Sequence, residues 1–186
     1  MGRNPVETGN GLRQMKTFLS ILICCGSVSS GFSGKPSGEW VAEALNVPYQ
    51  NEARICHSYQ GTDIPTNSLV VALDAFYWKS YETDCVKPVA AVKDFYAKAK
   101  GSRVVIATVP DRNAGGFYRF VCGAPTSVQG CRAPINAAIR DGCKADCLLL
   151  DADDLYRGRE DEDIHLTPQI WEDVAREVKD RLYAIQ

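Results

Sequence analysis

A serine near the start of the chain and a histidine near its end could together catalyse acyl transfer. Ser27 lies in a run of small residues directly after the apolar stretch 18–25. A serine at a strand-to-helix turn is exposed, and the backbone N–H groups of such a turn can stabilise an oxyanion. His165 directly precedes the last helical pattern and is one of only two histidines in the chain. Few other residues could therefore serve as the base.

An acidic residue three positions before this histidine completes the pattern. Glu162 could accept a hydrogen bond from the second ring nitrogen of His165, fixing its tautomer and stabilising the imidazolium that forms when the ring takes the serine proton. Asp161 and Asp163 flank Glu162 and are alternatives for this role. Taken singly, each residue also fits a structural role, as a turn serine, a helix-start histidine or a solvated charge.

These residues need a scaffold that brings the two ends of the chain together. Apolar runs alternate with helical patterns, which predicts a parallel α/β sheet with helices on both faces. Strands are predicted at 18–25, 68–73, 103–110 and 147–151, helices at 37–45, 87–100, 133–140 and 168–185, and loops at 50–67 and 111–130. Sites in such sheets lie at the carboxyl ends of the strands, so the residues that follow each strand are the candidates.

Composition and charge limit the possible partners. The 186 residues are 45% hydrophobic and 24% charged with a net charge of −2, as in ordinary soluble proteins. Near-neutrality argues against a nucleic-acid partner bound through a basic face, and no run reaches the roughly 20 apolar residues of a membrane span. We expect a flexible leader at 1–14, a single domain at 15–186 and a small-molecule substrate, with the oligomeric state open.

Eight cysteines are many for a cytosolic enzyme. Without Cys-x-x-Cys spacing a zinc site is disfavoured. One or two disulfides among the late cysteines would indicate a secreted or periplasmic protein, and reduced thiols a cytoplasmic one, but the pairing cannot be read from the sequence. A cysteine nucleophile, at Cys25 or at Cys56 beside His57, is a weaker alternative to the serine.

The N-terminal apolar stretch has two interpretations. Met15 and Lys16 precede the apolar residues 18–25 and then small residues, the layout of a secretory signal peptide. The same run also fits a strand buried on both faces, which we favour. The choice matters because cleavage near residue 26 would leave the mature chain without Ser27.

These motifs resemble those of the SGNH (GDSL-type) hydrolases over about residues 16–184. Segment 21–32 resembles the first block, which leads into the nucleophile, and 51–57 and 69–74 resemble the second block and the strand before the third. The most specific match is 162–168, an acid followed by two residues, a histidine and a helix.

The resemblance implies a three-layer α/β/α, flavodoxin-like fold and hydrolysis of carboxylic esters, such as those of a lipid, a sugar or another small molecule. It places Ser27 as nucleophile, His165 as base and Glu162 as the orienting acid, with neither a cofactor nor a metal.

The sequence departs from the family at the positions that would stabilise the oxyanion. The second-block glycine falls on Cys56, whose backbone N–H could still donate, and the third-block asparagine is missing from 74–78. The Trp78 indole or a protonated Asp74 could replace that donor. Two alternatives remain, namely a catalytically impaired SGNH-like binding domain and a secreted, disulfide-stabilised protein.

Overall fold

The computed structural model describes residues 21–23, 37–52, 56–112, 116–158 and 167–184. The strands are β1 Ile21–Ile23, β2 Tyr49–Asn51, β3 Leu69–Ala72, β4 Arg103–Ala107 and β5 Cys147–Leu150. The helices are α1 Ser37–Leu45, α2 Val86–Lys98, α3 Gly116–Val121, α4 Arg132–Gly142, α5 Ala152–Tyr156 and α6 Pro168–Ala184, with a 3₁₀ turn at Trp78–Tyr81. None of the helices in these ranges is long and apolar enough to cross a membrane.

The five strands form one parallel sheet in the order β2-β1-β3-β4-β5. Ile21 of β1 is in register with Tyr49 of β2 on one side and with Leu69 of β3 on the other. This is a doubly wound order, in which the direction of strand addition reverses between β1 and β3. The parallel α/β sheet predicted from the alternating patterns is therefore confirmed.

Helices cover both faces of this sheet. Because successive side chains of a strand point to opposite faces, Val70 and Ala72 of β3 pack into a core with helices α2 and α4. Leu69 and Val71, from the same strand, pack into a second core with α1 and α6. The result is three layers, with the two hydrophobic cores separated by the sheet.

The confirmed elements are those with the clearest apolar patterns. All four residues of β3 are buried, as a continuous apolar run in a parallel sheet predicts. The predicted stripe of α6 is buried at Ile170, Val174, Val178 and Leu182. The carbonyl of Thr167 accepts the N–H of Ile170 at 3.1 Å, which places Thr167 at the predicted N-cap position.

Three short elements fall in segments with no such pattern. Strand β2 lies at the start of the predicted loop 50–67, and all three of its residues are exposed at the sheet edge. Helix α3 falls within the predicted loop 111–130, and α5 follows β5 where no helix was expected. The proposed leader 1–14 and the signal-like residues 15–20 lie outside the described residues.

Candidate active site

The crevice at the carboxyl ends of β1, β2 and β3 is the candidate site. Ile23, the last residue of β1, is in register with Asn51 on β2 and with Val71 on β3. The loops that follow these strands therefore leave the sheet at one edge, beside the point where strand order reverses. Open α/β sheets bind their ligands at this location.

A backbone hydrogen bond joins the two loops that carry the predicted oxyanion donors. The N–H of Tyr59 donates to the carbonyl of Ala75 at 2.8 Å. Segment 56–59 after β2 therefore lies against the turn after β3. The structure thus places Cys56 on one loop and Asp74 and Trp78 on the neighbouring one.

Cys56 has an unusual backbone conformation. Its φ is +62°, in the left-handed region where a Cβ atom crowds the backbone and glycine is favoured. Its side chain forms a disulfide with Cys122, directly after α3, with the two Cα atoms 4.8 Å apart. The disulfide consumes the thiol, so the alternative of a Cys56–His57 nucleophile pair is wrong.

Trp78 begins the 3₁₀ turn that follows β3 and carries a buried donor. Its ring packs on the rings of Tyr77 and Tyr81, with centroid distances of 5.1 and 5.8 Å. Its Nε1 atom is buried and has no hydrogen-bond partner in the described part of the chain. Because an unsatisfied buried donor costs roughly 1–3 kcal/mol, an acceptor supplied by a ligand would recover this energy.

Asp74 opens the tight turn between β3 and Trp78. Its carbonyl accepts the N–H of Tyr77 at 3.2 Å, and its side chain is half-buried. Asp74 therefore lies in the turn that leads from β3 to Trp78, beside the candidate crevice.

A polar cavity beside this crevice was not anticipated from the sequence. It measures about 390 Å³. Its described lining is Gln50, Asn51, Glu52, His57, Ser58, Gln60 and Thr62. Polar residues scattered over a loop give no periodic signal, and the cavity is formed only when the loop after β2 folds back beside that strand.

An ion-pair cluster ties together the loops after β4 and β5. Asp151 caps α5 by accepting the N–H of Asp153, and it accepts a hydrogen bond from Arg140 at 2.9 Å. Burial raises the pKa of Asp151. The hydrogen bonds from Arg140, the Asp153 N–H and Thr108, together with the positive charge of Arg140, outweigh burial and hold the pKa below its ordinary value. A carboxylate held ionised in this way is a structural anchor and a poor proton acceptor.

Disulfides join all six cysteines in the described part of the chain. The pairs are Cys56–Cys122, Cys85–Cys131 and Cys143–Cys147. One disulfide within the late cluster, Cys143–Cys147, is confirmed. The other two late cysteines pair instead with the upstream Cys56 and Cys85. The first two bonds link the loop after α3 and the start of α4 to the segments that follow β2 and β3, and the third joins the end of α4 to the start of β5.

The predicted nucleophile, base and acid lie outside the described residues. Ser27, His165 and Glu162, like the alternatives Asp161 and Asp163, fall in the segments 24–36 and 159–166. Their roles therefore remain predictions.

One solved structure shares the architecture. No family model and no curated protein sequence matches the chain. The native aryl esterase of M. smegmatis superposes with a TM-score of 0.56 at 10% sequence identity, over 90% of this chain and 99% of that one. At this identity the likeness concerns the fold alone, and the chain shares the α/β fold of that esterase.

Proposed function

We propose that the protein is a serine hydrolase of carboxylic esters with an SGNH-like fold. The observation that carries the proposal is the place of β1 between β2 and β3, with the loops that bear Cys56 and Trp78 on either side of its carboxyl end. Ser27 follows Ile23 by four residues, so the two Cα atoms are at most about 14 Å apart. The fold shared with an esterase supports the same reaction class.

The proposed reaction proceeds in two halves. The Ser27 hydroxyl attacks the acyl carbon while His165 takes its proton, and Glu162 orients the imidazole. The backbone N–H groups of Ser27 and Cys56 and the Trp78 Nε1–H donate to the oxyanion. His165 then protonates the departing alcohol. In the second half a water molecule, activated by the same histidine, releases the acid and restores Ser27.

The position of the last helix, α6, supports the proposal that His165 is the base. His165 is two residues before Thr167, which stands at the N-cap position of α6. Helix α6 packs with α1 over the sheet face that carries Leu69 and Val71. Helix α1 lies in the connection between β1 and β2, so the helices that follow Ser27 and His165 share one side of the sheet.

The disulfides bear on where the enzyme works. Three disulfides fit an oxidising compartment, since thiols are kept reduced in most cytosolic proteins. We therefore place the protein outside the cytoplasm, in a secreted or periplasmic setting.

A second candidate is a binding domain that has lost catalysis. The turn 74–78 contains no asparagine or glutamine, so it lacks the amide donor expected in the third block. Loss of one oxyanion donor lowers the rate by about 10²–10³, and Trp78 would have to replace it for efficient turnover.

Covalent labelling separates the two candidates. A fluorophosphonate probe should label the full chain, and the protein should hydrolyse 4-nitrophenyl acetate. Ser27→Ala and His165→Ala should abolish both, whereas Ser29→Ala, a serine two residues further on, should keep both. A folded protein that neither reacts with the probe nor turns over the ester would favour the binding domain. The intact mass of the mature chain from its natural host shows whether Ser27 is retained.

A further inference from the structure

We propose that the polar cavity beside β2 binds the alcohol part of the ester, and that this part is a hydroxyl-rich group such as a sugar ring. The inference rests on the proposed esterase function and specifies its substrate class. The volume of about 390 Å³ falls within the range of 300–1,000 Å³ typical of small-molecule sites.

The side chains of the cavity suit a ligand with many hydroxyl groups. The amides of Gln50, Asn51 and Gln60 each combine donors with an acceptor, and the hydroxyls of Ser58 and Thr62 do both as well. No wholly aliphatic side chain and no phenyl, phenol or indole ring is among its described lining. An acyl chain or a phenyl ring would gain little here, because binding of apolar groups depends on burial against apolar surface.

The charge of the cavity disfavours an anionic ligand. Glu52 is the single carboxylate among the described lining residues, and no lysine or arginine is among them. Phosphate and carboxylate groups would be repelled by that charge. One side of the carboxylate is already engaged, since Gln50 Nε2 donates to Glu52 Oε1 at 2.7 Å. A neutral ligand with donors and acceptors fits these groups best.

Ser58 supplies the observation that points to a ligand. Its side chain is 4% exposed, and its Oγ atom is buried without a hydrogen-bond partner in the described ranges. Buried hydroxyls are almost always satisfied in folded proteins. A ligand hydroxyl in the cavity that Ser58 lines would provide the missing partner.

The cavity is close enough to the Cys56 N–H, a proposed oxyanion donor, for one ester to place its carbonyl oxygen there and its alcohol part in the cavity. Ser58 is two residues beyond Cys56, so their Cα atoms are at most about 7 Å apart. This separation is comparable to the width of one sugar ring. An ester with its carbonyl oxygen at the Cys56 N–H can therefore extend its alcohol toward Ser58 and Thr62.

Two variants and one matched control test the inference. Ser58→Ala and Thr62→Val each remove a hydroxyl from the cavity, whereas Thr66→Val makes the second change at an exposed threonine outside it. Saturation-transfer NMR with methyl β-D-glucopyranoside and methyl β-D-xylopyranoside measures binding without any need for turnover. Steady-state kinetics then compare acetylated methyl glycosides with 4-nitrophenyl acetate.

We expect saturation transfer to at least one glycoside in wild type and Thr66→Val, and a loss of it in both cavity variants. The kcat/KM for the glycoside ester should fall about two- to tenfold for each lost hydroxyl, while that for 4-nitrophenyl acetate should change less than twofold. Thr62→Val keeps the test valid if Ser58→Ala fails to fold.

The outcomes separate this inference from the proposed function. Glycoside binding that depends on Ser58 and Thr62, without any ester turnover, supports the cavity and refutes the esterase. Hydrolysis of 4-nitrophenyl acetate with no glycoside binding, or with binding unchanged in both variants, supports the esterase and overturns the sugar subsite.

Discussion

Two double variants that replace the Cys56–Cys122 disulfide with one glycine and one alanine should differ in their free energy of unfolding. The first variant is Cys56→Gly with Cys122→Ala, and the second is Cys56→Ala with Cys122→Gly. Both have the same composition and both lose the same disulfide. They differ only in which of the two backbone positions carries the glycine.

The magnitude follows from the backbone of Cys56. Alanine at its φ of +62° costs about 1–2 kcal/mol, a cost that glycine avoids. Cys122 is not among the described residues with a positive φ, so a glycine there gains nothing. Loss of the disulfide, with a sequence separation of 66, removes about 4 kcal/mol in the chain-entropy model, but this term is common to both variants and cancels.

We therefore expect the variant with glycine at position 56 to be the more stable by about 1–2 kcal/mol. For a chain of this length, that difference corresponds to about 2–8 °C in Tm. Both variants should remain less stable than wild type, because the loop-closure term exceeds the conformational one. The unfolded chains are matched, so the difference reports on the folded state.

Urea denaturation followed by tryptophan fluorescence and by circular dichroism measures the difference. Coincident transitions and equal m-values establish that the two variants can be compared. Equal midpoints, or a higher midpoint with glycine at position 122, would refute the argument that the backbone at position 56 demands a left-handed conformation.

Three further changes test other contacts. Trp78→Phe removes the unpartnered indole N–H and should lower kcat by about 10²–10³ with little change in Tm, measured with 4-nitrophenyl acetate. Asp151→Asn should flatten the acid side of the Tm–pH curve. The contacts with Arg140 and its neighbours hold the pKa of Asp151 below its ordinary value. The ionised carboxylate therefore stabilises wild type above about pH 4, and this contribution is lost as the pH falls through the folded-state pKa. Tyr59→Phe removes the 2.8 Å hydrogen bond to Asp94 and should lower the free energy of unfolding by about 1 kcal/mol, measured by urea denaturation.

The sequence best predicted the elements that have a clear pattern of apolar side chains. Strand β3 is a continuous apolar run, and α6 repeats apolar residues at helical spacing, so burial and periodicity agree. Strand β2 has neither property, because its three residues are exposed and only backbone pairing with β1 makes it a strand. A pattern of side chains cannot report such a pairing.

The sequence indicated only part of the candidate site. Asp74 and Trp78 follow the predicted strand β3 and therefore lie beyond its carboxyl end, whereas the strand before Cys56 was not predicted. The disulfide between Cys56 and Cys122 depends on contact between loops 66 residues apart, which sequence spacing does not encode. The cavity beside Ser58 likewise requires the folded path of the loop.

Two of the disulfides overlap along the chain, because Cys85 lies between Cys56 and Cys122 while its partner Cys131 lies beyond them. Any single backbone cut between residues 56 and 131 is therefore spanned by at least one covalent cross-link. A protease that nicks the loop before α3 would leave two fragments that stay attached and migrate together on a non-reducing gel. In a protease-rich environment, a single cleavage between these residues would therefore release no fragment of the chain.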